Sequence, residues 1–343
     1  MKIRALSAPI TVSLNVTNRC NLRCLHCSVE GGKALDDELR TDEWLSVIRE
    51  LADYKVFRVF VNGGEPLVRE DIFILLGELD RHPFEVTLFT NATLITEEMA
   101  DRLGECHLKG VSVSLDGSKP EIHDRLRGEG TFHKTVAGIE RLVRRGFKVG
   151  ISTVVTPFNL SDLPAIVRLA RDLGAGGIAV NKLRALGRAD SNGLSTSKSQ
   201  DMEVAEVLLS LEEEYGDFIR STYSVRARIY RSELQPDAQA KSLASCSAAK
   251  SSCSIRPDGW VIPCNYLWDM KCGNVRDEDF ITIWCYSSGM QQFRALSNLT
   301  VDDVPECRDC KYKSVCDAGC RAIAYTICGS FTARDPFCWY NGE

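Results

Sequence analysis

The stretch Ile10-Thr-Val-Ser-Leu-Asn-Val-Thr17, followed at once by Cys20-Asn-Leu-Arg-Cys24-Leu-His-Cys27, decides how the chain is read. A β-branched, largely apolar run of this length reads as a strand. Three cysteines at CxxxCxxC spacing on the loop beyond it give a [4Fe–4S] cluster three thiolates and leave its fourth iron without a protein ligand. A cluster that only carries electrons usually has every iron ligated by protein, so a three-ligand loop points to chemistry at the open iron. A zinc knuckle or a disulfide loop competes with this reading. Structural zinc wants a fourth Cys or His close by, and here His26 lies between two of the ligands.

Working outward, the 343 residues suffice for one large α/β domain plus a smaller one, and 44% hydrophobic residues supply a core. The net charge of −5 is spread over interspersed acids and bases with no basic stripe, so nucleic acid is not an expected partner. The chain shows no signal-peptide pattern and no apolar run of about 18 residues, so no membrane association is expected. Fifteen cysteines without a secretory context point to metal in a reducing compartment, and the expected location is cytoplasmic. Their odd number would also leave a thiol unpaired if disulfides were the explanation.

Short β-rich runs alternate with amphipathic helical patterns through the first half, the sign of βα units around a parallel sheet. The patterning predicts strands near 10–17, 56–61, 85–90, 110–115, 148–155 and 177–183. Helices are predicted near 41–53, 70–80, 96–104, 131–145 and 161–173, with Ser161 as an N-cap and Gly174 as a C-terminal stop. Six such units fit a partial (β/α)6 barrel of the TIM type. Parallel barrels and sheets bind ligands at the carboxyl ends of their strands. Four landmarks fall there: the three-cysteine loop, Asn62-Gly63-Gly64-Glu65-Pro66, Thr90-Asn91-Ala92-Thr93 and Ser114-Leu115-Asp116-Gly117. Residues 184–245 change character, with Arg184-Ala-Leu-Gly-Arg188, a Ser-rich stretch and a charged helix near 198–214. The expected organisation is a barrel over 1–190, a helical bridge over 191–240 and a small cysteine-rich domain over 241–343, the last boundary falling near 235–245.

The CxxxCxxC loop resembles the signature of the radical SAM superfamily, which also implies the partial barrel. The resemblance implies that Cys20, Cys24 and Cys27 hold the cluster and that the amino and carboxylate groups of S-adenosylmethionine chelate its open iron. One electron from the reduced cluster then releases a 5′-deoxyadenosyl radical. Gly63-Gly64-Glu65-Pro66 matches the superfamily's GGEP motif, whose carbonyls and Glu accept hydrogen bonds from the methionyl ammonium. Paired glycines let a main chain approach closely, and a carboxylate opposes a positive charge. Ser114 and Asp116 resemble the SxD element that holds the ribose hydroxyls, although Asp116 before Gly117 equally suits a turn. Arg127, in His123-Asp-Arg-Leu-Arg127, matches an arginine that pairs with the methionyl carboxylate, and a solvated surface role fits it as well. Asn91 and Ser152 are further candidates for this pocket. His26 takes a position often held by an aromatic that packs on the adenine. The 184–188 segment is similar to an RxxPxGR loop without its proline, which leaves substrate binding and a structural loop both open.

A second constellation reads Cys307-x2-Cys310-x5-Cys316-x3-Cys320-x17-Cys338, preceded by Cys246-x6-Cys253-x10-Cys264 with Gly259 giving G-x4-C. Eight cysteines are what two fully ligated [4Fe–4S] clusters require. The arrangement resembles the SPASM extension of radical SAM maturases and implies three [4Fe–4S] clusters in all. It also implies interleaved ligands, with Cys246, Cys253, Cys264 and Cys320 on a first auxiliary cluster and Cys307, Cys310, Cys316 and Cys338 on a second. Cys246 and Cys253 could exchange roles, or one ligand could be missing, which would leave an open iron for substrate. Cys106, Cys272, Cys285 and Cys328 are left over as small apolar fillers, and Cys272 is placed to serve as an alternative ligand.

With three clusters the chain resembles maturases that install thioether or carbon–carbon crosslinks in, or epimerise residues of, ribosomally made peptides. The expected activity is therefore a radical SAM oxidoreductase that abstracts a substrate hydrogen from a peptide or protein. Sulfatase maturases carry an Asp after the cysteine equivalent to Cys264; here it is Asn265, which takes no proton at ordinary pH, so sulfatase maturation is not expected. The first strand begins by residue 10, which leaves no room for an N-terminal leader-recognition domain. A separate protein would supply that function, and an external donor such as flavodoxin or ferredoxin the electron. The alternative is modification of a tetrapyrrole or another small cofactor precursor. In a third class, a non-enzymatic electron carrier, the GGEP motif and open-iron loop would serve no purpose. No catalytic acid or base is identified, and Asp269 and Tyr266 are the side chains to try near the first auxiliary set.

Overall fold

A computed structural model describes residues 6–223 and 246–340. The first half runs β1 (Thr11–Asn15), α1 (Thr41–Asp53), β2 (Arg58–Asn62), α2 (Ile72–Asp80), β3 (Glu85–Thr90), α3 (Glu97–Gly104), β4 (Gly110–Ser114), α4 (Pro120–Arg127), α5 (Thr131–Arg144), β5 (Val149–Val155), α6 (Leu163–Asp172) and β6 (Gly177–Lys182). Every pairing from β1 to β6 is parallel and between sequence neighbours, with helical connections between the strands. This is the expected partial barrel. Period-2 alternation divides each strand between two faces. Val12, Leu14, Val59, Val61, Leu88, Val113, Ile151 and Val180 are buried in the core, against which α1 sets Trp44, Val47, Ile48 and Leu51. The alternate positions Ser13, Asn15, Phe60, Asn62, Phe89 and Ser114 line cavities on the inner side. A dry outer layer therefore fixes the strands while the inner face stays free for polar chemistry.

After β6 come α7 (Arg188–Ser191), α8 (Lys198–Tyr215) and β7 (Ile219–Ser221), which adds in parallel to β6. The cysteine-rich region contains β8 (Ser252–Ile255), β9 (Trp260–Ile262), β10 (Gly273–Asn274), α9 (Phe280–Tyr286), α10 (Ser288–Ala295) and α11 (Arg321–Cys328). It joins the barrel through its main chain. β8 pairs in parallel with β1, placing Cys253 beside Val12, and β9 and β10 extend the sheet antiparallel. The sheet among the described residues has ten strands in the order β10-β9-β8-β1-β2-β3-β4-β5-β6-β7. Residues 224–240 of the expected bridge, and the expected boundary at 235–245, lie outside the described residues. No described helix is long and apolar enough to cross a membrane.

Two local expectations change. The charged eight-residue α4, which starts with Pro120 at its N-terminus and buries only His123, Leu126 and Arg127, has too little apolar periodicity to show in the sequence. Ser161 sits inside a short 3-10 turn, Leu160–Asp162, and Asp162 takes the N-cap position of α6. Gly174 does end α6. Its φ is +77°, and its N–H donates to the Arg171 carbonyl at 2.9 Å.

The turn after β5 is organised by Asn159, which is fully buried. Its Nδ2 donates to the carbonyls of Asp116 and Val154, each at 2.9 Å, and its Oδ1 accepts from the N–H of Thr156 at 2.7 Å. Truncation would strand several buried groups, each costing about 1–3 kcal/mol. Asn159→Ala should therefore lower stability by about 3 kcal/mol, read as a fall in the denaturant midpoint of the anaerobic protein.

Candidate metal centres and cofactor pocket

Cys20, Cys24 and Cys27 share one cavity of about 240 Å³ with Gly63, Gly64, Glu65, Asn91, Ser114, Arg127 and Val154. The cysteine loop is held there by main chain. Gly64 N–H donates to the Thr17 carbonyl at 2.7 Å, Glu65 N–H to Arg19 at 2.8 Å, and Leu25 N–H to Leu126 at 2.8 Å. The two glycines are required by this packing. A Cβ on Gly63 would lie 2.5 Å from the Thr17 carbonyl oxygen, and one on Gly64 would lie 2.3 Å from that of Arg19. Burial, together with Glu65 and the two neighbouring thiolates, pushes the Cys20 thiol up to about 11. Three thiols around one cavity are a donor set that iron satisfies, because thiolate ligation displaces the protons. The residues present fit a three-ligand cluster.

The 184–188 segment proves to be a brace for this loop. Gly187, at φ +54°, would bring a Cβ within 2.9 Å of the Cys27 carbonyl oxygen. Arg188 donates from its main-chain N–H to Cys27 at 3.0 Å, from Nε to the Cys24 carbonyl at 2.9 Å and from Nη2 to the Gly31 carbonyl at 3.0 Å. Sequence reasoning left this role unassigned. Its signal is a Gly-Arg pair just past a strand that ends on the ligand rim.

Glu65 is almost completely buried and accepts from Asn91 N–H at 2.7 Å, Thr90 Oγ1 at 2.8 Å and Leu67 N–H at 3.2 Å. Burial outweighs these bonds and pushes its carboxyl up to about 7. Asp116, expected at the ribose, is fully buried and is not among the residues that line the cavity. It accepts from Arg127 Nε at 2.6 Å and from Val154 N–H at 2.8 Å, and it pairs with His26 Nε2 at 3.1 Å. Burial alone would raise this carboxyl, but Arg127 and His26 hold it well below the usual carboxylate range. Arg127 is thus a buried member of an ion network, with Nη1 reaching Cys24 Sγ at 3.8 Å. Its surface reading fails for that reason. His26 lines the cavity, and its Nδ1 has no hydrogen-bond partner. Pro66 is buried in a 3-10 turn, and Ser152 accepts from Asn181 Nδ2 at 3.3 Å away from the pocket lining. Neither Pro66 nor Ser152 is among the residues that line this cavity.

Cys307, Cys310, Cys316 and Cys338 line one small cavity with Tyr312, Gly319 and Arg334, as the second auxiliary set requires. Arg334 Nη2 lies 3.4 Å from Cys338 Sγ. Ala318 and Gly319, at φ +59° and +78°, turn the chain sharply between Cys316 and Cys320, so that Cys320 leaves this group. It meets Cys246 and Cys264 instead, and burial with these neighbouring thiolates pushes Cys264 up to about 12. The two sets of cysteines therefore alternate along the chain, with Cys246, Cys264 and Cys320 as electrostatic neighbours of one another. Cys253 is buried in β8 near Cys272 and Arg294, and it lines a cavity together with Cys264.

Residues 14–170 match the family model described as the radical SAM superfamily, and residues 246–311 match SPASM, an iron-sulfur cluster-binding domain. The AdoMet-dependent heme synthase of Methanosarcina barkeri is 31% identical over 351 residues, covering 99% of this chain and 99% of that protein. The mycofactocin maturase MftC of Mycolicibacterium smegmatis is 31% identical, covering 98% of this chain and 84% of its own. Among solved structures, Streptococcus suis SuiB bound to the precursor peptide SuiA shares the fold with a TM-score of 0.81 at 18% identity, covering 97% of this chain and 76% of that one.

Because Gly64 has no space for a Cβ, Gly64→Ala should displace the cysteine loop and remove about four irons per chain after reconstitution. The auxiliary sites should keep their iron, and far-ultraviolet circular dichroism should be unchanged. A full iron count in this variant would count against the backbone packing as the determinant.

Proposed function

The chain belongs to the radical SAM superfamily, and from that premise we propose that this enzyme is a maturase that abstracts a hydrogen atom from a ribosomally made peptide or protein. The product would carry a crosslink, a thioether, an epimerised centre or an oxidised residue. When bound, the first cluster and S-adenosylmethionine supply one-electron cleavage of the sulfonium and a 5′-deoxyadenosyl radical. Every other part of the task falls to the chain itself. Cys20, Cys24 and Cys27 are assigned to the cluster, Glu65 to the methionyl ammonium, and Asn91 and Ser114 to the polar edges of the nucleoside. Asp116 positions Arg127 and His26 from beneath and is not assigned a ligand contact. The auxiliary clusters are assigned to the cysteine-rich region, where they can accept an electron left on the product.

The observation that carries the peptide reading is a chamber of about 800 Å³ that reaches from Ser28 and Gly63, beside the first cysteine loop, to Cys264, Asn265 and Tyr266. Its wall includes Ser13, Asn15, Asn62, Ser252 and Ser254, short hydroxyl and amide side chains suited to peptide amides. Arg58 is the cation in this wall, and it is paired with Glu85. A tetrapyrrole with several carboxylates would call for more positive charge. Modification of such a small cofactor precursor is the second reading, supported by the match to the heme synthase along the full length of both chains. Delivery of the reducing electron is assigned to a separate flavodoxin or ferredoxin, and capture of any leader segment to a separate protein.

Anaerobically reconstituted enzyme, given dithionite and S-adenosylmethionine, should release 5′-deoxyadenosine and change the mass of a short peptide encoded beside its gene. Turnover with a tetrapyrrole precursor and none with peptide would overturn the maturase reading in favour of the second. A pH series tests the assignment of Glu65. Its folded carboxyl is raised from 4.5 to about 7, so the stability it contributes is full below pH 4.5 and is lost as pH rises through 7. Binding of the methionyl ammonium needs the ionised form, so affinity should run the other way. Calorimetry should show S-adenosylmethionine binding weakening by about tenfold per pH unit below 7, with Glu65→Gln weak and flat across the range.

A further inference from the structure

The chamber of about 800 Å³ follows the inner face of the barrel from one end of its first strands to the other. Thr11, Ser13 and Asn15 of β1 line it in step with Arg58, Phe60 and Asn62 of β2, their partners in register. Arg58 thus stands at the amino end of β2, whereas Asn62 and Gly63 stand at the cysteine rim. At about 3.3 Å per residue, about 13 Å separates the two levels. Among the described residues of this lining, Arg58 alone is charged. Its partner Glu85 is shared, with Arg58 Nη2 at 3.2 Å and Lys109 Nζ at 2.8 Å from the carboxylate. Two cations around one anion leave a positive charge over. Nε and Nη1 of Arg58 make no hydrogen bond among the described residues, and the side chain is 42% exposed.

At its other end the chamber meets a second cavity of about 550 Å³, with which it shares Ser28, Val29, Asn265 and Tyr266. Glu30 and Asp269 are the charged side chains of that lining, and no cation joins them among the described residues. The path therefore carries a cation at one end and two carboxylates at the other, and it passes the three-cysteine loop at Ser28. We propose that Arg58 anchors the α-carboxylate of a peptide substrate, so that the enzyme acts about four residues before a free carboxyl terminus. The guanidinium fork matches a carboxylate. Short hydroxyl and amide groups along the wall serve the peptide amides in between, and the amino-terminal remainder leaves past Glu30 and Asp269. Opposite charge at the two ends fixes the direction in which the peptide lies. The assignment of a peptide rests on the maturase reading, but the preference for a carboxylate at Arg58 does not.

The test uses the anaerobically reconstituted full chain with S-adenosylmethionine bound. The probe is a short peptide of alternating alanine and serine, acetylated at its amino end, as free acid and as carboxamide. Calorimetry should show the acid binding about tenfold more tightly than the amide, and Arg58→Gln should abolish the difference. Glu85→Gln, which leaves Arg58 without its carboxylate partner, should widen it, and this variant decides if Arg58→Gln fails to take up iron. Equal binding of acid and amide by the unchanged chain overturns the proposal. So do a preference that survives Arg58→Gln, a difference that Glu85→Gln leaves unchanged or narrows, and failure of the acid to bind at millimolar concentration. Mesoporphyrin, a dicarboxylic tetrapyrrole, is the third probe: its binding, lost in Arg58→Gln while neither peptide binds, would overturn the peptide assignment and give the anchor to that class. In any peptide that is turned over, fragmentation should place the changed mass about four residues before the carboxyl end; modification that amidation of this end leaves unchanged in rate and position overturns the anchor. The anchor is read by binding and the maturase reading by turnover, so the two failures are separate results.

Discussion

The main chain of residues 63–65 lies directly on the main chain of residues 17–19, and the rest of the site depends on that contact. Two hydrogen bonds, Gly64 N–H to Thr17 and Glu65 N–H to Arg19, join loops at the carboxyl ends of two adjacent parallel strands. The same contact sets the cysteines over the barrel mouth and swings the Glu65 carboxylate beneath them. A side chain at either glycine would force the loops apart, so one steric constraint governs both the cluster loop and the cofactor pocket. Arg188 reinforces it from the far side of the sheet, after β6, by gathering the carbonyls of Cys24 and Gly31.

Two buried carboxylates near this contact have opposite characters, and their partners explain why. Glu65 accepts from two N–H groups and a hydroxyl, all neutral, so the cost of burying charge dominates and its proton is held more tightly. Asp116 accepts from a guanidinium and pairs with an imidazole, so its charge is compensated inside the protein. Glu65 is therefore incomplete until a cation arrives, whereas Asp116 is already committed. The division places ligand recognition on one residue and alignment of Arg127 and His26 on the other.

The barrel strands were legible because alternating β-branched residues and short polar ones report which face is dry. The three-cysteine loop was legible because a cluster demands its ligand spacing regardless of fold. The partners of Asp116 were not legible because a carboxylate at a strand end looks alike whether it meets a ligand or an arginine eleven residues on. The surroundings of Cys253 were not legible because spacing counts cysteines without knowing strand phase. The phase was nonetheless written in Ser252-Cys253-Ser254-Ile255, where the cysteine shares a face with isoleucine. Pairing of β8 with β1 could not be read at all, since nothing local links residues so distant in the chain.

That pairing has a consequence for the solution behaviour of the protein. Strand β1 carries the ligand loop, and without β8 its outer N–H and C=O groups would form a bare, apolar sheet edge of the kind that recruits other chains. The cysteine-rich region covers this edge and ends the sheet in the two-residue β10, too short to act as a template. The cysteines expected to hold the auxiliary clusters lie in that same region, so iron binding there would be coupled to sheet protection. Oxidative loss of an auxiliary cluster would thus expose the edge of β1, and air damage would show as precipitation as well as lost turnover.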